Sequence, residues 1–323
     1  MKAIYVEDYA AWPKLGYGDL EDPKAIDGHV VVDVKYAGVN FPDTLIAKGL
    51  YQFKPELPFS PGGEISGVIS EVGAGVRGLA VGDRVIGANS HGGFAEKVLL
   101  HAGSVYPIPD TLDHKAASCL LETYATAIHA LKDRGTVKEG ERLLVLGAAG
   151  GTGIAAIQVG KALGMEVVAA CSTQEKIDLA MANGASIGIN YAEQAMKDEL
   201  KALGGVDVIF DPVGGDFAET AFRGIRPGGR HLVIGFAGGK IPALPWNLPL
   251  LKQAAIVGVF WGGFWRTDPK GNYNNVMELI RWMEDGKIAP QITEELPLSE
   301  AVTALLKIEN REVRGKIALK VND

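Results

Sequence analysis

The sequence predicts an α/β protein in two regions, a β-rich one at the start and a parallel, doubly wound sheet after it. Three observations carry that reading. Beyond residue 142, short apolar runs alternate with segments of helical period, the order in which strands and helices of a parallel sheet follow one another. Before residue 113 the runs are instead β-rich and punctuated by glycine and proline. Glycine makes up 42 of the 323 residues, roughly twice the ~7% average, as expected where a backbone needs positive φ or close approach by another group. The length suits two domains, or one domain with a second inserted into it.

In the first region strands are expected at residues 30–34, 67–72, 84–86 and 95–100. Residues 116–132 then carry apolar side chains at helical spacing with no glycine or proline, which predicts one long helix. A buried strand follows at 142–146, a helix at 151–163, a strand at 166–171 and a helix at 173–183 closed by Gly184. Strands at 206–211, 231–236 and 255–260 continue the pattern, the first two joined by a helical segment at 217–223. The tail adds a helix at 275–284, a short strand near Ile292, a helix at 299–307 and a last strand at 316–321.

Composition narrows the function. Lys and Arg total 32 against 39 Asp and Glu, a formal charge of −7, so a nucleic-acid footprint is not expected. Cys119 and Cys171 each stand alone in an apolar segment, which excludes a disulfide framework and a multi-cysteine zinc lobe and leaves two reduced, buried thiols. Glu7 and Asp8 interrupt any signal-peptide apolar region, and the uncharged run 143–160 is broken by clustered glycines. A cytoplasmic protein without a membrane helix is therefore expected.

The chemistry is concentrated in residues 143–153, a hydrophobic strand that runs into Gly147-Ala148-Ala149-Gly150-Gly151-Thr152-Gly153 and then into a helix of small residues. This is the pattern of a dinucleotide site. Glycines let the chain turn sharply, let a pyrophosphate approach the backbone and permit close helix–sheet packing, while N–H groups at the helix start bind the anion. An acid at the end of the next strand would bind the two ribose hydroxyls of NAD. Here the segment is Cys171-Ser172-Thr173-Gln174-Glu175-Lys176, with hydroxyls and a cation suited to a 2′-phosphate, which favours NADPH. The alternatives are that Lys176 is a solvated helix residue and that Glu175 is the missing acid, displaced.

With these residues in view the chain resembles the medium-chain dehydrogenase/reductase superfamily, and within it the zeta-crystallin-like NADPH:quinone oxidoreductases. The resemblance spans nearly the whole chain. It rests on Ala37-Gly38-Val39-Asn40-Phe41-Pro42-Asp43, Gly49-Leu50-Tyr51, Pro61-Gly62-Gly63-Glu64, Gly82-Asp83-Arg84-Val85, the glycine turn, Pro297-Leu298 and Arg314-Gly315-Lys316. It implies a GroES-like β-rich catalytic domain from residues 1–122 and 265–323 around a Rossmann-type NADP-binding domain at 123–264. Zinc enzymes of the superfamily carry a cysteine and a histidine where this chain has Asn40 and Gly63, neither of which binds zinc, so no metal is expected.

The resemblance also implies site residues. Asn40 and Tyr51 would line the cleft beside the nicotinamide as catalytic groups, an amide donor and a phenol on a flat apolar face, and Thr126 would contact the cofactor. Tyr191 would flank the 2′-phosphate, and Gly235, Phe236, Ala237, Phe260, Trp261 and Gly262 would lie near the nicotinamide half. The alternatives are Asn40 as a loop cap, Tyr51 as a packed surface aromatic, and Tyr191 and Phe260 as core aromatics, while Asp43 reads first as a carboxylate bonded to its own loop. No side chain stands out as a general acid. Cys119, Glu122 and Tyr124 depart from the small or aliphatic residues the resemblance implies there, which leaves substrate size open.

The leading reading is a zinc-independent reductase passing hydride from NADPH to quinones or α,β-unsaturated carbonyls. An enoyl-thioester reductase is the alternative, with Lys48, Lys54, Arg266 and Lys270 available to a phosphorylated carrier, and a nucleotide- or RNA-binding protein is the reading from another class. Residues 255–260 have few polar side chains and fall late in the sheet, and the resemblance implies a homodimer through that edge.

Overall fold

The structure is a computed structural model that describes residues 1–322 and divides into two compact units, Met1–Glu122 with the chain from Pro290 onward, and Thr123–Ala289. Among the described residues no helix is long and apolar enough to cross a membrane.

The first unit is organised by the strand His29–Val39, whose alternation turns Val30, Val32 and Val34 into a core shared with Ile65, Ile69, Val85, Leu100, Leu305, Ile317 and Leu319. It pairs antiparallel with Glu64–Val72 on one side. On the other it pairs with Lys97–His101 along its first half and with Lys316–Lys320 along its second. Arg84–Ala88, Val105–Pro107 and Ile292–Pro297 complete a seven-stranded sheet. Its register builds one polar corner. Ile317 lies opposite Val39 and Glu64 opposite Gly38, so Lys316 and Glu64 flank the end of the long strand where Asn40 opens the helix Phe41–Ala47.

The second unit is a six-stranded, wholly parallel sheet ordered Ile187–Asn190, Glu166–Cys171, Arg142–Leu146, Val206–Asp211, Ile225–Val233, Ala255–Gly258. Helices cover its faces, which is why its central strands read as unbroken apolar runs: Leu143, Leu144, Val145, Val167, Val168, Val208 and Ile209 are fully buried. The chain reverses direction across the sheet on either side of Arg142–Leu146, and ligands of such sheets bind at the carboxyl ends of strands flanking that point.

Three expectations change. The long helix at 116–132 is instead a short helix His114–Ala117, two wide π-type turns, Leu121–Ala125 and His129–Arg134, and the turn Thr126–Ile128 between them. Leu120, Leu121, Ala125, Ala127, Ile128, Ala130 and Leu131 are all buried, so packing on every side, rather than one apolar stripe, decides the backbone path. The helix expected at 275–284 begins earlier, at Pro269, where Asp268 caps it by accepting the Gly271 N–H at 2.9 Å. That helix belongs to the second unit: Asn272 accepts from Trp261 Nε1 at 2.8 Å and Asn275 donates to Asp133 at 2.8 Å. The chain accordingly joins the first unit at Pro290 rather than at residue 265.

Candidate functional site

In the second unit the glycine turn closes at the end of Arg142–Leu146. Gly147 takes φ +60, a left-handed conformation that a side chain strains, and a Cβ there would press on Val213 at 2.8 Å. A Cβ on Gly153 would lie 2.7 Å from Ala148 Cα and closer still to the Gly147 carbonyl oxygen, so the helix Gly151–Ala162 can start this near the turn only because Gly153 is bare. Gly150 is its N-cap and offers no side chain to the first turn. The leading N–H groups of Gly151, Thr152 and Gly153 therefore form a site suited to a pyrophosphate.

The next strand ends at Cys171, and Thr173 caps the helix Gln174–Ala182 by accepting the Lys176 N–H at 3.3 Å. Lys176 Nζ turns back to donate to Ser172 Oγ at 3.3 Å. Tyr191 is held at the same strand end by its N–H, which donates to the Cys171 carbonyl at 3.0 Å, and its ring leans on Phe217. The structure thus brings Ser172, Lys176 and Tyr191 to one strand edge, while Glu175 is exposed in the helix's first turn. Burial pushes the Cys171 thiol up to about 11, which disfavours the thiolate.

Gly235, Phe236 and Ala237 follow Ile225–Val233, and Ala237 N–H donates to Pro212 O at 3.0 Å. The Phe236 ring packs over Gly214. Sequence reasoning missed what fixes this loop: Asp211 Oδ1 accepts the N–H groups of Val213 at 2.9 Å and Gly214 at 2.7 Å, and its Oδ2 meets buried His231 at 2.9 Å. Phe260 is exposed and its ring lies against Gly262 and Gly263, whereas Trp261 is buried with its indole bonded to Asn272. Thr126 sits half-buried in the turn between the two wide helical segments.

In the first unit Asn40 is buried and its amide is already committed: Nδ2 donates to Glu64 Oε1 at 2.9 Å, and Oδ1 accepts from Lys316 Nζ at 2.6 Å. The donor that sequence reasoning offered to an acceptor carbonyl is spent inside the protein. Asn40 N–H also donates to Asp43 Oδ2 at 2.8 Å, which makes Asp43 the capping carboxylate of the helix Phe41–Ala47. Lys316 uses its remaining donors on Glu64 Oε1 at 2.8 Å and Val39 O at 3.0 Å. Glu64 Oε2 accepts the Glu122 N–H at 2.9 Å. Tyr51 is half-buried against Val6, Ile46, Ala47 and Phe59.

Burial raises three of these groups. It pushes Asp43 up to about 7, against the pull of Asn40 N–H and Lys316, and it pushes Glu122 up to about 8, with Glu64 and Asp43 adding to the rise. It takes the Cys119 thiol to about 12. Lys316 is drawn down by burial, yet Glu64, Cys119 and Asp43 together outweigh this and its pKa is raised. The donor set does not fit zinc. An amide already bonded to an ammonium, a glycine and that ammonium occupy this corner, and among the described residues no three His, Cys, Asp or Glu side chains converge as ligands.

Residues 26–110 match the family model described as an alcohol dehydrogenase GroES-like domain, and residues 151–282 match one described as a zinc-binding dehydrogenase. The chain is 37% identical to quinone oxidoreductase-like protein 2 of Bos taurus over 93% of its own length and 87% of that protein. Among solved structures it superposes on a probable oxidoreductase from Mycobacterium abscessus with TM-score 0.88 and 38% identity, covering 99% of this chain and 98% of that one. The Escherichia coli quinone oxidoreductase complexed with NADPH gives TM-score 0.92 at 26% identity, covering 99% and 100%.

Proposed function

Because the chain belongs to the medium-chain dehydrogenase/reductase superfamily as a quinone oxidoreductase-like member, we propose that it is an NADPH-dependent, zinc-independent reductase of quinones or α,β-unsaturated carbonyls. The observation that carries this reading is the strand edge where Ser172, Lys176 and Tyr191 gather, beside a glycine turn open to a pyrophosphate. NADPH, bound there, supplies a hydride. The N–H groups at the helix start hold the pyrophosphate, and Lys176 and Ser172 neutralise and hydrogen-bond the 2′-phosphate. Tyr51 is the proposed acceptor-facing donor, while Asn40 acts through Glu64 and Lys316 as a positioning residue. Zinc independence is supported by the mismatch at Asn40, Gly63 and Lys316. Lys48, one of the cations available to a phosphorylated carrier, is paired with Glu309, which removes support from the enoyl-thioester reading.

The test is reduction of p-benzoquinone, methyl vinyl ketone and an enoyl-CoA by NADPH and by NADH, before and after exhaustive chelation. Quinone or enone turnover with NADPH that survives chelation is expected. Turnover confined to the thioester, or lost with zinc and restored by it, overturns the reading.

Lys176→Ala is expected to weaken NADPH binding about tenfold while leaving NADH unchanged, as loss of one charge-assisted contact requires. Equal losses for both cofactors in fluorescence titrations would place Lys176 outside the phosphate site. Tyr51→Phe is expected to lower kcat about tenfold or more with little change in NADPH affinity, and more for an enone than for a quinone, which needs less help in accepting electrons. An unchanged kcat for both acceptors rules Tyr51 out.

A homodimer is part of the proposal. Ala255–Gly258 is the last strand of its sheet and is largely exposed, and the neighbouring Trp246, Leu250 and Leu251 expose 86%, 75% and 73% of their surface. Bare edges and apolar patches of this kind mark association surfaces. Sedimentation at micromolar concentration is expected to give a dimer, and Leu250→Glu with Leu251→Glu a folded monomer; a monomeric parent protein defeats the assignment.

A further inference from the structure

Hydride transfer to a quinone or enone leaves an oxyanion that must take a proton, and the buried network of the first unit gathers more carboxyl groups than its one ammonium pairs with. Three carboxyl groups, Asp43, Glu64 and Glu122, face one ammonium, Lys316, with the Cys119 thiol as the remaining titratable neighbour. Glu64 is engaged on both oxygens, by Lys316 and Asn40 on one and by the Glu122 N–H on the other, and with Lys316 it forms a closed, neutral pair. Asp43 and Glu122 exceed the charge that Lys316 can balance. Two negative charges in a desolvated corner are costly, and protons relieve them.

Geometry separates the two acids. Asp43 is 1% exposed and fixed to Asn40 N–H, whereas Glu122 is only half-buried and stands at the last residue of the unit's first segment. Both face the gap left by the missing side chain of Gly63. The point where a Cβ would sit lies 3.5 Å from Asp43 Oδ1, 3.9 Å from Glu122 Oε2 and 3.4 Å from Asn89 O. A histidine or any larger side chain there would fill the gap, so Gly63 leaves space beside both carboxyls.

We propose that Glu122 is the general acid of the reduction, a role that rests on the reductase function proposed for the chain, with Asp43 and Glu64 as the neighbours that keep it protonated. The step balances. Hydride brings two electrons and one hydrogen to the acceptor; the Glu122 O–H bond breaks as a new O–H or C–H bond forms on the reduced acceptor; Glu122 is left as a carboxylate and is reprotonated from solvent. The net reaction consumes one NADPH and one proton per acceptor. Burial and the two flanking carboxyls hold Glu122 protonated up to about pH 8, so the acid form is present at neutral pH and is lost as pH rises through that value.

The test combines infrared titration of the cofactor-free protein with steady-state rates. A carboxylic-acid C=O band is expected to persist at neutral pH, to titrate out near pH 8, and to be absent from Glu122→Gln. With NADPH and methyl vinyl ketone, Glu122→Gln is expected to lower kcat by about a hundredfold, to abolish both the alkaline fall in kcat and its solvent deuterium isotope effect, and to leave the NADPH Kd unchanged. Asp43→Asn, which removes a like charge but keeps a capping oxygen, is expected to move both the band and the alkaline limb to lower pH. Glu122→Gln with wild-type kcat and pH profile, or with the band intact, overturns the proposal, as does an unmoved limb in Asp43→Asn if Glu122→Gln does not fold. If the parent protein reduces no quinone or enone, the reductase reading fails on its own, while the infrared titration still decides whether Glu122 stores a proton.

Discussion

Gly153→Val is expected to abolish measurable NADPH binding while leaving a folded protein. The valine Cβ would lie 2.7 Å from Ala148 Cα and nearer still to Gly147 O, and both are backbone atoms that no rotamer change can move. Either the helix Gly151–Ala162 backs away from the turn or the turn opens, and in both cases the N–H groups of residues 151–153 no longer converge. A pyrophosphate held by several such charge-assisted bonds loses all of them together, so a fall of at least about a hundredfold in affinity is expected. Stability suffers less, because the strand and the rest of the helix keep their buried faces. Gly150→Ala is the control for stability: its Cβ would meet only Gly147 O, at 3.5 Å, from a φ of −80 that alanine adopts freely. Fluorescence titration with NADPH and a thermal melt of each variant decide the matter, and near-parental affinity in Gly153→Val would mean that the cofactor is not held by this turn.

The glycine turn could be read from the sequence because its determinants are local. A strand, a bend and a helix start within one stretch of chain, each with its own composition, and the same holds for the strands at residues 166–171 and 206–211, short apolar runs bounded by turn residues. The region 116–132 resisted because it is apolar on all sides: a helix buried all round has no stripe, so neither its breaks nor its wide turns leave a periodic trace. The carboxylate network was out of reach for a different reason. Lys316 and Asn40 lie 276 residues apart and meet only through the pairing of the last strand with the long one, so no spacing rule joins them. Glu122 did leave a signal, as an ionisable side chain in an otherwise apolar segment, and so did Asp43 as a loop carboxylate. What the sequence lacked was the third dimension that sets both beside Glu64.

Lys316→Met is expected to cost about 3 to 5 kcal/mol of stability, the range for removing one partner of a buried ion pair. All three ammonium donors are used, on Val39 O, Asn40 Oδ1 and Glu64 Oε1, and the side chains of Lys316 and Glu64 are 4% and 0% exposed. Methionine fills most of the same space, so the loss is electrostatic rather than a cavity. The sign of its pH dependence follows from the carboxyls left behind. Asp43 and Glu122 already hold protons more tightly in the fold than ordinary carboxylates do, to about 7 and about 8, so the stability they contribute is complete at low pH and lost as pH rises through those values. Lys316 holds both of them down, so without the cation Asp43 and Glu122 favour their protonated forms further. The difference between Lys316→Met and the parent should therefore be small near pH 5 and widen towards pH 8. The double variant Lys316→Met, Glu64→Gln, which removes both charges, should recover much of the loss at high pH. Urea unfolding midpoints across this pH range measure all three proteins directly. A pH-independent deficit that Glu64→Gln does not relieve would mean that Lys316 serves the strand pairing through Val39 and does not neutralise the carboxylate network.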